Sequence, residues 1–211
     1  MPDATGSGDW RKERTKGMVA IAVSVAISIL VWRALYRGLP PLIGMDSVDA
    51  RLLVAVKCVA AATLFSLVAG VESVAHERLQ SAAFDPLAGH QTKRLRVNLR
   101  YLQNTLEQLV VFAAGLFGLA AYLTTDSAMR ALPATTIVWV VNRYAFWIGY
   151  HRSAAMRGLG APSMAISLIV LLYVVARIGG ELAGTAGGAV AVGLFLAIEA
   201  VLFWKTRSAA D

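Results

Sequence analysis

The sequence predicts an all-α integral membrane protein, and three observations carry that reading. Of the 211 residues, 57% are hydrophobic and only 16% charged, against roughly 45–50% and about 25% in soluble domains. Six apolar runs, 17–36, 50–71, 105–124, 133–150, 162–178 and 185–204, come close to or reach the roughly 20 residues that cross a bilayer as helix. None alternates as a barrel strand does, and lipid offers no partner to open backbone groups, so each run reads as a helix.

In chain order, residues 1–16 form a basic segment with Arg11, Lys12, Arg14 and Lys16. The run after it imitates a signal peptide, but it is too long, ends in VWRALYRG and lacks a small-residue cleavage site. Residues 17–49 are therefore expected to be a first transmembrane helix and its link. The second run holds Lys57, expected to snorkel or face a neighbouring helix, and Cys58. A lone cysteine excludes a disulfide framework and a cysteine-based metal site. The polar link that follows carries His76 and His90 without ligand spacing, so no metal is expected, and DPLAG at 85–89 reads as turn punctuation. Trp139, Trp147 and Trp204 suit membrane anchoring or packing. GGELAGTAGG divides the last two runs, either as a turn between helices or as a bend in one, and Glu199 beyond it is expected to make a structural hydrogen bond.

Basic residues set the orientation. Arg11 to Lys16, then Arg78, Lys93, Arg94, Arg96 and Arg100, then Arg152 and Arg157, then Lys205 and Arg207 all fall on one side of a six-span chain. The positive-inside rule makes that side, and both termini, cytoplasmic. The net charge of +7 is explained by this bias and by anionic lipid rather than by nucleic acid.

Two helices carry chemistry. In RVNLRYLQNTLEQLVVF, residues 96–112, Arg96, Arg100, Asn104, Glu107 and Val111 recur at steps of four and three and share one face. In NRYAFWIGYHR and its continuation, Arg143, Tyr150 and Arg157 stand seven apart. They form one stripe provided the helix continues through HRSAAMRG. A charge in lipid costs about 2.5–3.5 kcal/mol on insertion scales, so Glu107 and Arg143 are expected to face inward as a structural ion pair. Arg94 and Arg96 read as headgroup or loop charges. Together the stripes offer guanidinium for carboxylates, Glu107 for an ammonium and Asn104 for a peptide bond. Glutathione presents all three, plus a thiol.

NLRYLQNTLEQLVVF followed by NRYAFWIGYHRSAAMRGLG resembles the MAPEG family, the membrane-associated proteins in eicosanoid and glutathione metabolism. The R-x-x-x-N-x-x-E element of that family is met by Arg100, Asn104 and Glu107. Its R-x-x-(Y/H)-x-x-x-Y element, with an arginine seven residues on, is met by Arg143, Phe146, Tyr150 and Arg157. The resemblance covers about residues 50–178. It implies a four-helix core over 50–180, with helices at 50–76, 98–124, 133–158 and 162–180, and additional transmembrane helices at the N-terminus and over 181–211. It further implies a homotrimer in the lipid bilayer, here a bacterial-type member in the inner membrane, with glutathione as co-substrate between subunits.

By the same resemblance Arg100, Asn104, Glu107 and Tyr150 contact glutathione, and Arg78 supplies the basic residue at the end of the first core helix. Arg157 holds the thiol as thiolate. The physical need is plain: a free thiol has a pKa of about 8.5, and a guanidinium beside it lowers that value. The implied activity is a transferase or peroxidase acting on a hydrophobic small-molecule substrate that arrives through the bilayer. Three positions depart from the pattern. Phe146 replaces Tyr or His, Gln108 stands at a variable aromatic or amide position, and Val111 replaces a frequent proline. A non-catalytic MAPEG-like membrane protein or a small-molecule carrier is the alternative reading.

Overall fold

The computed structural model describes residues 7–208, and among these every regular element is helical. Residues 1–6 of the basic segment and 209–211 of the tail lie outside the described residues, as does the side chain of Arg207. Helix α1 spans Ser7–Gly38. Helix α2, Val48–Ala62, opens on Ser47, whose side chain accepts from Ala50 N and so satisfies a backbone donor left open at the helix start. It runs through a π-helical turn, Thr63–Val68, into α3, Ala69–Leu79. The widened turn presents the Ser66 carbonyl sideways, and Tyr101 takes it with its hydroxyl at 3.1 Å. The first core helix therefore extends well past residue 71.

Helix α4, Lys93–Tyr122, begins twelve residues before its apolar run because Thr92 caps it, accepting from Leu95 N at 2.9 Å. Helix α5 spans Ala131–Arg152 and ends in extended backbone at Ser153. A 3₁₀ turn, Met156–Gly160, follows, and then α6, Ala161–Ser208. The helix expected over 133–158 is thus broken, and Arg157 does not continue the Arg143–Tyr150 stripe. Helix α6 is itself interrupted at Ala183 and Gly184, where Gly184 takes φ +62°. Glycine tolerates that conformation without steric cost. In a straight helix, residues 176 and 188 would lie about 18 Å apart. Here a Cβ on Gly188 would come 2.7 Å from the Ala176 carbonyl oxygen, so the chain doubles back and GGELAGTAGG is a turn.

Among the described residues, four helical segments are long and apolar enough to cross a membrane: Trp10–Gly38, Val48–Leu79, Lys93–Tyr122 and Met156–Thr206. The last contains both runs on either side of the Gly184 turn. Helix α5 falls short on hydropathy, because Asn142 and Arg143 lie in its middle. It is instead the shielded helix, with Trp139 and Arg143 fully buried. Phe112 of α4 stacks on Trp139 at 4.6 Å, and Trp139 Nε1 donates to Ser167 of α6 at 3.1 Å. Buried Arg51 ties the opposite end, donating to the carbonyls of Ala120, Met45 and Asp46. Lys57 and Glu199 are exposed and Cys58 is buried.

Helix α1 is built inside out. Its buried side chains are small, Ala20, Ser24 and Ser28, while Met18, Val19, Ile27 and Leu30 point outward. Small residues let helices approach closely where lipid removes the usual hydrophobic drive. Ser28 and Asn142 exchange hydrogen bonds at 2.9 and 3.2 Å, and Trp32 Nε1 donates to Thr135 at 2.9 Å.

Candidate functional site

Near the start of α4 and the end of α5 lies an open cavity of about 390 Å³. Helix α4 contributes Arg100, Gln103, Asn104, Glu107 and Gln108, one face at three- and four-residue spacing. Helix α5 contributes Phe146 and Tyr150, and the 3₁₀ turn contributes Arg157, Gly158 and Gly160. Five expected site residues, Arg100, Asn104, Glu107, Tyr150 and Arg157, therefore line one space. Arg157 arrives by a route the sequence did not suggest. The chain leaves α5, folds back, and lays the turn along it, with no room for a side chain at Gly149, where a Cβ would overlap the Met156 carbonyl.

The polar groups are wired in two branches. In the first, Arg100 donates to Gln103 Oε1 at 3.4 Å, and Gln103 Nε2 donates to Glu107 Oε1 at 3.1 Å. In the second, Ser163 Oγ lies 2.7 Å from Gln108 Oε1, and Gln108 Nε2 donates to Asn104 Oδ1 at 3.1 Å. Ser163 has one hydroxyl proton and two acceptors at 2.7 Å, Gln108 Oε1 and the Gly160 carbonyl, and when the proton is on Gln108 it orients both amides along this second branch. In that arrangement Asn104 Oδ1 accepts from Gln108 and the Asn104 NH₂ group is left for an incoming acceptor. Gln108 is thus an orienting residue rather than only a departure from a pattern. Gln103 and Ser163 were missed. Gln103 was legible, since it sits three residues from Arg100 and four from Glu107 on the same face.

Arg143 does not pair with Glu107. It is fully buried, and its guanidinium donates to Thr105 at 2.9 Å and Ser163 at 3.4 Å. It also stacks over Phe146, 4.6 Å from the ring centroid, and Tyr101, 5.4 Å away. Among the described residues no carboxylate meets it. Hydroxyls and ring faces solvate this cation without the strict geometry that an ion pair needs. Glu107 is consequently left facing the cavity with one carboxylate oxygen free of the Gln103 bond. The cavity holds two guanidinium groups and one carboxylate, a net charge of +1.

Arg78 lies at the end of α3 and does not line this cavity. Its Nε is buried without a hydrogen-bond partner. No group of three His, Cys, Asp or Glu suited to a metal occurs among the described residues. His76 meets Glu72 at 3.6 Å on the helix surface. A separate polar cluster ties α3, α4 and α5 together. Trp147 Nε1 and His151 Nε2 both lie at hydrogen-bonding distance from Asn98 Oδ1, 2.9 and 3.1 Å, so His151 must present a proton there. Partial burial, reinforced by the Arg94 charge, lowers the His151 pKa.

The MAPEG family model matches residues 52–180, more than half of the chain and the whole of this site. The chain belongs to the MAPEG family. Among curated proteins and among solved structures, no match is found. The matched span begins inside α2 and ends just before the Gly184 turn. Helix α1 and the final segment of α6 lie outside the matched span. A second cavity, of about 420 Å³ and almost wholly apolar, lies between α1, α5 and the first part of α6, with Ile29, Trp32, Ile166 and Ile169 on its walls.

Proposed function

We propose that this MAPEG protein is a membrane-bound glutathione-dependent transferase or peroxidase. The observation that supports this most is the convergence of Arg100, Asn104, Glu107, Tyr150 and Arg157 on one open cavity. Charge agrees in kind. Glutathione carries two carboxylates and one ammonium, a net charge of −1, and the cavity carries +1. Arg100 is suited to a carboxylate, the free oxygen of Glu107 to the ammonium, and the Asn104 NH₂ group to a peptide carbonyl. Arg157 has no hydrogen-bond or ion-pair partner among the described residues, so its guanidinium is available to the thiolate, whose pKa it would depress.

The thiolate sulfur would form a bond to an electrophilic carbon, with the displaced group leaving, or take the terminal oxygen of a hydroperoxide. In the second case an alcohol is released after protonation, and a second glutathione completes the reduction. Tyr150 borders the same space, while Phe146 closes its wall and covers Arg143. The apolar cavity begins at Pro162, next to Ala161 of the polar one, and suits a hydrophobic co-substrate arriving from the bilayer. In this reading the protein is a trimer with the polar cavity at the cytoplasmic face. The neighbouring subunit's α3 would then bring Arg78 to the open side.

The test is a glutathione titration of purified protein, monitored at the thiolate absorbance band, for the wild type and Arg157→Ala. The wild type should bind and show the band, and the variant should bind without it. A wild type with neither binding nor band refutes the proposal, and reconstituted transport without thiol chemistry would favour a carrier.

A further inference from the structure

The 3₁₀ turn that carries Arg157 is only five residues long and is held between two helices by backbone contact. On the α5 side, a Cβ on Gly160 would overlap Phe146 Cβ and one on Gly149 would overlap the Met156 carbonyl. On the opposite side stands α1. A Cβ on Gly158 would come 2.9 Å from the Gly17 carbonyl oxygen and 3.0 Å from Ile21 Cγ1, and one on Gly17 would come 3.5 Å from the Ala155 oxygen. The Arg157 side chain is exposed and unbonded, so no side-chain contact fixes its guanidinium. Its position is inherited from the turn's backbone, and the outer wall of that turn is α1.

Helix α1 is in turn locked in register along α5. Ser28 is bonded to Asn142, Trp32 to Thr135, and the Leu39 carbonyl accepts from Arg130 at 3.2 Å. Sliding α1 by a single residue would break all three. We infer that α1, which lies outside the matched MAPEG span, is the positioning element for Arg157, acting through the Gly17–Gly158 backbone contact. This rests on the glutathione reading for its functional meaning. Gly17 is a positioning residue outside the cavity, and Gly158, which lines it, is the contact through which α1 acts; the close approach excludes any larger residue at 158 without displacing α1 or the turn.

The experiment compares wild type, Gly158→Val and Gly17→Leu in detergent, each checked for unchanged oligomeric mass and melting. Because Gly17 lies outside the cavity and α4 and α5 still supply Arg100, Asn104, Glu107 and Tyr150, Gly17→Leu should bind glutathione within about twofold of wild type, while Gly158→Val, which alters the cavity wall, is read by its thiol pKa alone. The pKa of the bound thiol should rise by about one unit, lowering the thiolate fraction about tenfold at pH values below both pKa values and less above them, and in Gly17→Leu kcat should fall with KM for glutathione nearly unchanged. Wild-type thiolate titration in both folded variants overturns the inference.

A readout without glutathione separates this from failure of the functional reading. A nitroxide at Arg157→Cys, in a Cys58→Ser background, should gain mobility when Gly17→Leu is added. Unchanged mobility refutes the brace whatever the wild type does with glutathione. Raised mobility in a protein that binds no glutathione sustains the brace and sinks only the proposed activity. If Gly158→Val does not fold, the Gly17→Leu result decides.

Discussion

Replacing Glu107 by Gln, Arg143 by Met, and then both tests how the exposed carboxylate and the buried guanidinium are each stabilised. Arg143→Met removes two hydrogen bonds from a charged donor to neutral hydroxyls, a loss of about 1.5–3 kcal/mol each at most. It also forfeits two cation–π contacts, together on the order of 1–3 kcal/mol. Against this, it relieves the burial of an uncompensated charge, a penalty of several kcal/mol. The terms nearly cancel, so the single change should alter stability by no more than about 2 kcal/mol, in either direction. The informative quantity is the coupling. Glu107 is bonded through Gln103 toward Arg100, whereas Arg143 is bonded to Thr105 and Ser163, so the two share no direct partner. Their interaction energy should stay within about 0.5 kcal/mol. Had they formed the buried ion pair expected from their positions, removing one partner alone would cost about 3–5 kcal/mol. Unfolding by sodium dodecyl sulfate in mixed micelles, across the four proteins, gives the cycle. A coupling of about 2 kcal/mol or more would refute this account of the site's charge arrangement.

Other outcomes follow from the same geometry. Gln108→Met conserves bulk but frees the Asn104 amide to turn, so glutathione affinity should fall about three- to tenfold, the worth of about 0.7–1.4 kcal/mol, by calorimetric titration. Asn98→Leu strips the shared acceptor from Trp147 and His151 and should cost about 1–3 kcal/mol, seen as a lower melting temperature with glutathione binding retained. Because the folded-state pKa of His151 is depressed, its contribution to stability is complete above the unfolded value of about 6.5 and is lost as pH falls through the folded value. Melting temperature should therefore drop on acidification below neutrality, and His151→Gln should flatten that dependence. Trp32→Phe removes the donor to Thr135 and should loosen α1 without altering the α4 face. Limited proteolysis of the link at residues 39–47 should then proceed faster.

The helical membrane class was legible because apolar runs of bilayer length have no other stable backbone solution. The MAPEG elements were equally legible, since Arg100, Asn104 and Glu107 need only helical periodicity to share a face. Periodicity could not say how Arg157 joins them. That depended on a helix stopping at Arg152 and a turn folding back where Gly149 and Gly160 leave room, which is a property of contact between distant residues. The Glu107–Arg143 expectation failed for a related reason. Opposite charge and depth suggest a pair, but the orientation of α5 gave Arg143 to Thr105, Ser163 and two aromatic faces instead. Composition also cannot tell a lipid-facing helix from a brace. Most leucine, isoleucine and valine side chains of α1 are exposed, while its informative positions, Gly17, Ala20, Ser24 and Ser28, are small residues whose meaning appears only beside α5 and the Arg157 turn. The sequence by itself determined that the chain is helical, membrane-embedded and MAPEG-like. Only the tertiary structure decided which polar groups meet, because close approach between helices is set by what both surfaces leave out.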